Sequence, residues 1–188
     1  MNYSIPAIYA IWEGFVTTVF RTYIATLNEL NLTFDSVCEP ILVYHFEKSF
    51  SQLKEYPKDN DKKVKFFKNL ASFYNNPNPI ITLKCAINTE SNVYFHVINR
   101  ILPEFNLTKI EDKQIEYPEL QIKSSLLQEL KRLVDNRNAI AHGQNSILIN
   151  RSDLERAINL IETLMDLVFD RIIEGFENKS YLVQNGIQ

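Results

Sequence analysis

The sequence is poor in glycine and has no surplus of positive charge. Only 4 of its 188 residues are glycine, which disfavours glycine-rich phosphate-binding loops and β-folds that need many tight turns. Lys and Arg together number 20 against 23 Asp and Glu, so the formal net charge is −3. A protein that coats nucleic acid non-specifically normally carries a basic surplus. Any contact with RNA or DNA is therefore expected from a local patch.

Metal centres and membrane spans are disfavoured as well. The two cysteines, Cys38 and Cys85, have no Cys or His neighbour at the spacing of a zinc site, so we expect no metal and no cofactor. Two such thiols fit a reducing compartment. The sequence also lacks a run of about 20 apolar residues, which a membrane-spanning helix needs. These features predict a cytoplasmic protein with no membrane partner.

Apolar residues recur every three or four positions along most of the chain, which is the spacing of amphipathic helices. The first helix is expected to end near Asn31. The second should begin at Pro40 and stop at Pro57, and the third should end at Tyr74. Residues 75–79 contain two prolines and predict a loop.

The middle of the chain is less regular. Residues 80–87 fit either a short strand or an irregular buried run, and residues 104–120 are polar and predict a connector. Between them a fourth helix should end before Pro103. Its N-terminus has three candidate capping residues, Thr89, Ser91 and Asn92.

Two strongly amphipathic helices are expected in the last third of the chain. The first carries an apolar face over residues 126–134. The second begins at a predicted capping box, in which Glu155 bonds back to the Ser152 amide, and continues to Phe176. The predicted fold is all-α, an antiparallel helical bundle with additional helices, and residues 1–188 are expected to form one domain.

The segment between these two helices holds the best candidates for chemistry. Residues 137–143 read Arg-Asn-Ala-Ile-Ala-His-Gly and so place a guanidinium, an amide and an imidazole close together. Gly143 is suited to the left-handed conformation that follows many helix ends, which would place His142 at the terminus. On a continuous helix Arg137 and His142 would point about 140° apart. At a terminus, however, the histidine can swing back toward the arginine.

This heptapeptide resembles the Arg-x(4–6)-His signature of HEPN domains, and in its detail the MAE_28990/MAE_18760-like group of predicted HEPN nucleases. The resemblance extends to a first helix containing Trp12 and Glu13, to a helix over 92–100, and to the long helix after the motif. It implies an antiparallel α-bundle that dimerises through the motif helices, so that two motifs form one metal-independent endoribonuclease site.

The resemblance also implies roles for single residues. Arg137 would bind the scissile phosphate, His142 would transfer a proton, and Asn138 would orient either group. Cleavage would leave a 2′,3′-cyclic phosphate. Such proteins act as toxins or anti-phage defence effectors, so an antitoxin or an associated defence protein is a possible partner. HEPN toxins paired with nucleotidyltransferases carry a Tyr two residues past the His. Here that residue is Gln144, so adenylylation at this position is not expected.

Other functions remain open. The arginine and the histidine also fit a surface arginine and a helix-capping histidine. HEPN domains further occur as non-catalytic scaffolds that bind a partner protein or a nucleotide, and a purely structural helical adaptor is a third possibility.

Two groups of cations are candidates for RNA contact. The first brackets the motif and is predicted to hold the phosphodiester backbone. The second lies in residues 54–68, where six lysines exceed three acids and aromatic residues interleave. Aromatic rings beside cations can stack bases, although a solvated helix face is the simpler interpretation of this segment. The bracketing cations are Lys131, Arg132, Arg151 and Arg156.

Overall fold

The computed structural model describes residues 3–77, 79–90, 92–117, 122–143 and 148–184. Six α-helices and one two-stranded sheet occur among them, which confirms the predicted all-α class. Short 3-10 turns lie between α1 and α2 and between α2 and α3. The elements are α1 Ser4–Glu29, α2 Glu39–Ser49, α3 Asn60–Tyr74, α4 Phe95–Glu104, β1 Gln114–Tyr117, β2 Ile122–Ser125, α5 Leu126–Ala141 and α6 Arg151–Glu177.

The core forms where α1 packs against α5 and α6. The buried positions of these helices recur every three or four residues, so each helix presents one apolar stripe to the others. Packing of these stripes, rather than intrinsic helix propensity, supplies most of the stability of such helices. In α1 the buried residues are Ile5, Tyr9, Trp12, Val16, Phe20, Tyr23, Ile24 and Leu27.

The predicted connector over 104–120 is wrong in part, because it contains a strand. Residues Gln114–Tyr117 pair antiparallel with Ile122–Ser125. Tyr117 is buried while Glu116 is exposed, which is the alternation of a strand with one covered face. β1 has only four residues, Gln-Ile-Glu-Tyr, and its two alternating apolar residues are too few to distinguish a strand from a polar loop.

Several helix boundaries differ from those predicted. α1 ends at Glu29, two residues before Asn31, and α2 ends at Ser49, well before Pro57. Pro103 lies inside the last turn of α4 instead of beyond it. This helix ends at the next residue, so the proline removes only one amide from a turn that is already ending.

Two predicted caps are also wrong. α6 is capped by Asn150, whose Oδ1 accepts the Asp153 amide at 2.9 Å. Glu155 pairs with Arg151 instead of bonding to the Ser152 amide. Both Asn150 and Ser152 have an acid three residues later, so the sequence pattern fits two registers.

The cap predicted for α4 is likewise absent. The helix begins after Tyr94 with no side-chain hydrogen bond at its cap, so neither Thr89 nor Asn92 has that role. Ser91 lies outside the described residues.

Residues 80–87 are irregular, as in one of the two predicted alternatives, but within this run only Ile81 and Leu83 are buried. Ile80 makes a single bridge with Thr33. The Asn28 side chain then binds Leu83 twice, donating to its carbonyl at 3.0 Å and accepting its amide at 2.7 Å. The Ile81 amide donates to the Leu32 carbonyl at 2.8 Å, so the backbone of this segment is held by single contacts instead of a partner strand. In the described part of the chain, no helix is long and apolar enough to cross a membrane.

Candidate functional site

The motif lies at the C-terminal end of α5, as the glycine predicted. Ala141 is the last helical residue, His142 is the C-cap and Gly143 adopts a left-handed φ of 79°. The backbone amide of His142 donates to the Asn138 carbonyl at 2.9 Å, and that of Gly143 donates to Ile140 at 3.0 Å. These two hydrogen bonds hold the backbone of residues 138–143 at the C-terminal end of α5.

Arg137 is half-buried and held only by uncharged groups. Its guanidinium lies 4.7 Å from the centre of the Tyr9 ring. Its Nη1 donates to Asn138 Oδ1 at 2.8 Å and to Asn92 Oδ1 at 3.3 Å. No carboxylate of the described residues pairs with it, and neither Nε nor Nη2 has a hydrogen-bond partner there. The arginine thus keeps its positive charge and spare donors.

The groups that hold Arg137 are fixed in turn by α1. The Val93 amide donates to the Tyr9 hydroxyl at 2.8 Å, and Trp12 Nε1 donates to the Val93 carbonyl at 3.0 Å. Both backbone groups of this buried residue are therefore bound by α1 side chains, which fixes the adjoining Asn92. Burial raises the pKa of the Tyr9 hydroxyl above its usual value, so it stays neutral.

Tyr9 and Asn92 were missed as site residues by sequence reasoning. Tyr9 has the spacing of an ordinary core residue in α1, and Asn92 is only one of three residues that the sequence offers as a helix cap. Asn92 lies 45 residues from Arg137 in the chain, so no local spacing relates them. The first-helix Trp12 was the only sequence feature that pointed to this contact.

His142 has an exposed side chain that forms no hydrogen bond or ion pair with the described residues. It also makes no direct hydrogen bond to Arg137 within one chain. Its place at a helix end outside the apolar stripe agrees with the sequence prediction. Gln144, which stands where related toxins have a Tyr, lies outside the described residues.

A second polar group is centred on Asp135, two residues before the arginine. The Tyr94 hydroxyl donates to Asp135 Oδ1 at 3.2 Å, and Lys131 pairs with the other oxygen of Asp135. Burial, with a smaller effect of Asp135, raises the pKa of Tyr94. Lys131 is exposed but has a carboxylate partner on its own helix, so its contact with RNA stays a prediction.

Two of the four cations predicted to bind RNA have an internal role. Glu129 is buried on α5, and its carboxylate pairs with Arg132 at 3.0 Å and with Arg156. Arg132 also pairs with Asp153 at 3.2 Å, and Arg156 lies 4.9 Å from the centre of the Tyr117 ring. We call these five residues the Glu129 cluster. It joins α5, α6 and the sheet, so both arginines have acidic partners within the protein, and an RNA contact of either one stays a prediction.

The remaining candidate cation, Arg151, is exposed and pairs with Glu155 at 2.8 Å. It lies in the first turn of α6, on the other side of the motif from Lys131. Its contact with RNA stays a prediction. Among the described residues, no group of three or more His, Cys, Asp or Glu side chains is arranged to hold a metal ion.

The fold and this site define a class: a helical bundle with an Arg-x(4)-His motif at the end of a core helix. A family-level sequence model described as RiboL-PSP-HEPN matches residues 1–174. The chain belongs to this HEPN family, whose domains are generally ribonucleases or nucleotide-related proteins. The match does not name the narrower MAE_28990/MAE_18760-like nuclease group, so membership of that group stays a prediction. No curated protein and no solved structure matches the chain.

Proposed function

We propose that the protein is a metal-independent endoribonuclease whose site is built around Arg137 and His142. The observation that carries the proposal is the environment of Arg137, a half-buried guanidinium with spare donors and only neutral partners. An arginine in this state suits a doubly contacted phosphate. The exposed His142 follows five residues later, as the C-cap of the same helix.

The proposed reaction uses the 2′-hydroxyl of the RNA as its nucleophile. The oxygen attacks the adjacent phosphorus as its proton leaves, and the 5′-oxygen of the next nucleotide departs with a proton. His142 either takes the first proton or gives the second. Arg137 stabilises the charge that develops on the phosphoryl oxygens, while Asn138 orients the guanidinium through its 2.8 Å contact. The products are a 2′,3′-cyclic phosphate and a 5′-hydroxyl.

The complete site is proposed to need two copies of the chain. In one copy the side chains of Arg137 and His142 make no direct hydrogen bond, and residues 141–143 are exposed at the helix end. A two-fold axis near this end would bring two arginines and two histidines together. Light scattering at micromolar concentration should therefore show a dimer, and a monomer would contradict the shared site.

A toxin or defence role in the cytoplasm is the biological setting we propose. A ribonuclease that cuts cellular or invading RNA needs a restraint, so an antitoxin or an associated defence protein is the expected partner. RNA would be the substrate.

Cleavage of single-stranded RNA by the purified protein tests the proposal. His142→Ala should slow cleavage about 10²–10⁴-fold, the usual worth of a positioned acid or base. Because the side chain is exposed, the free energy of unfolding should change by about 1 kcal/mol or less. Cleavage should persist in EDTA, and DNA of the same sequence should remain uncut because it lacks the 2′-hydroxyl.

Three results would contradict this mechanism. One is an H142A variant that melts like the parent and cuts at the parental rate. Another is activity that EDTA abolishes and magnesium restores. The third is a purified dimer that leaves RNA intact, which would favour the non-catalytic scaffold.

A further inference from the structure

The third helix stands apart from the core of the bundle. Phe66 is its only buried residue, and no residue of α3 belongs to the main apolar cluster. It is attached through aromatic contacts, in which Phe73 and Tyr74 each lie 5.8 Å from Phe34 between ring centres. The rest of its surface is therefore free to meet another molecule.

This surface carries cations that have no acidic partner. Five lysines lie on α3 and just before it, and none of them forms an ion pair with a described residue. The nearby acids are Glu55, Asp59 and Asp61, and Asp59 caps the helix by accepting the Lys62 amide at 3.0 Å. The local charge is thus opposite in sign to that of the whole chain, −3. The five are Lys58, Lys62, Lys63, Lys65 and Lys68.

Aromatic side chains are exposed among these lysines. Tyr56 is 56% exposed and Phe67 is 53% exposed. Tyr56 lines two neighbouring depressions, an open cleft of about 660 Å³ with Phe66 and a shallower one of about 500 Å³ with Phe67. Lysines line both depressions. Lys63 Nζ lies 5.5 Å from the centre of the Tyr56 ring, so this cation and the ring are in direct contact. Exposed rings beside cations bind single-stranded nucleic acid, because bases stack on the rings while phosphates meet the charges.

We propose that residues 56–68 form a binding surface for single-stranded RNA, separate from the cleavage motif. We call it the α3 surface. The inference rests on the proposed function insofar as it takes RNA to be the substrate. The charge favours a polyanion, and the exposed rings favour one with unpaired bases. An anionic membrane would meet the lysines but offers no base that could stack on the rings.

Binding of a fluorescent 12-nucleotide single-stranded RNA to the H142A protein tests the inference without cleavage. Tyr56→Ala should weaken binding about 5- to 150-fold through lost base stacking. Tyr56→Phe keeps the ring and should bind like the parent. The double variant Lys62→Gln and Lys65→Gln should reduce the slope of log K against log salt by about 1.4. Replacing the exposed Lys109 and Lys113 by Gln is the matched charge control.

Several outcomes separate this inference from the proposed function. If the α3 variants fold, as thermal melting reports, and bind RNA like the parent, the α3 surface is not an RNA site. If they lose binding to phosphatidylserine vesicles instead, the partner is a membrane. Intact duplex RNA binding as tightly as the single strand would exclude base stacking. The parental protein, with His142 intact, is assayed for cleavage in parallel. If it cuts no RNA but binding still depends on Tyr56, this inference stands and only the proposed cleavage is overturned.

Discussion

Two arginines of this protein lie over tyrosine rings in nearly the same way, yet their electrostatic surroundings are opposite. Arg137 lies 4.7 Å from the centre of the Tyr9 ring, and Arg156 lies 4.9 Å from that of Tyr117. Arg156 is also paired with the buried carboxylate of Glu129. Arg137 has only amide oxygens and a neutral ring. The ring contact is common to both, so the carboxylate is what distinguishes them.

The difference indicates what each arginine is for. In the Glu129 cluster the charge of Arg156 is compensated inside the protein, so the cluster joins three elements and attracts no further anion. The charge at Arg137 is uncompensated, although burial of a cation normally requires a partner. The nearest acid in the sequence of α5, Asp135, lies two residues away on the opposite side of the helix and is occupied by Tyr94 and Lys131. An external anion is the partner that this arrangement lacks.

Removing the carboxylate should give the largest effect on folding. In Glu129→Ala the half-buried Arg156, whose side chain is 11% exposed, loses its counter-charge. Breaking one side of such a pair lowers the free energy of unfolding by about 3–5 kcal/mol. Chemical denaturation measures this change. Glu155→Ala is the matched control because it breaks the exposed pair with Arg151, and such pairs contribute little. Equal stability of the two variants would mean that the Glu129 cluster does not hold α5 to α6.

Removing the other arginine should affect cleavage more than folding. Arg137→Ala should lower kcat about 10²–10³-fold, the usual cost of losing one donor to a developing negative charge. Its effect on unfolding should be about 1–2 kcal/mol, since it loses one cation–π contact and neutral hydrogen bonds. Arg137→Lys should rescue kcat poorly because an ammonium cannot contact a phosphate through a planar fork. Full activity of the Lys variant would show that charge alone suffices.

The sequence predicted those parts of this comparison that depend on local spacing. The helix end at Gly143, the exposed position of His142 and the long apolar stripe of α6 follow from patterns within a few turns. The partners of the arginines do not. Asn92 reaches Arg137 only because Tyr9 and Trp12 bind the Val93 backbone, which is a result of tertiary packing.

The same reason explains why the sequence does not separate internally paired cations from free ones, while the RNA contacts themselves stay a prediction. Arg132 and Arg156 have the composition of a basic patch beside the motif. They differ from surface cations because both pair with Glu129. The burial of Glu129 on α5 depends on how α6 packs against that helix. The sequence of an amphipathic helix does not indicate that one of its acids, Glu129, will be buried.

The smallest expected effect separates the ring of Tyr9 from its hydroxyl. Tyr9→Phe leaves the buried Val93 amide without its acceptor, so the free energy of unfolding should fall by about 1–3 kcal/mol. The ring under Arg137 remains, and kcat should stay at the parental value. Tyr9→Leu removes the ring as well, and loss of a cation–π contact worth about 0.5–2 kcal/mol should lower kcat about 2- to 30-fold relative to the Phe variant. Denaturation together with single-turnover cleavage measures both quantities. If the Leu and Phe variants cut RNA equally fast, the ring supports the core alone and Arg137 is positioned by Asn92 and Asn138.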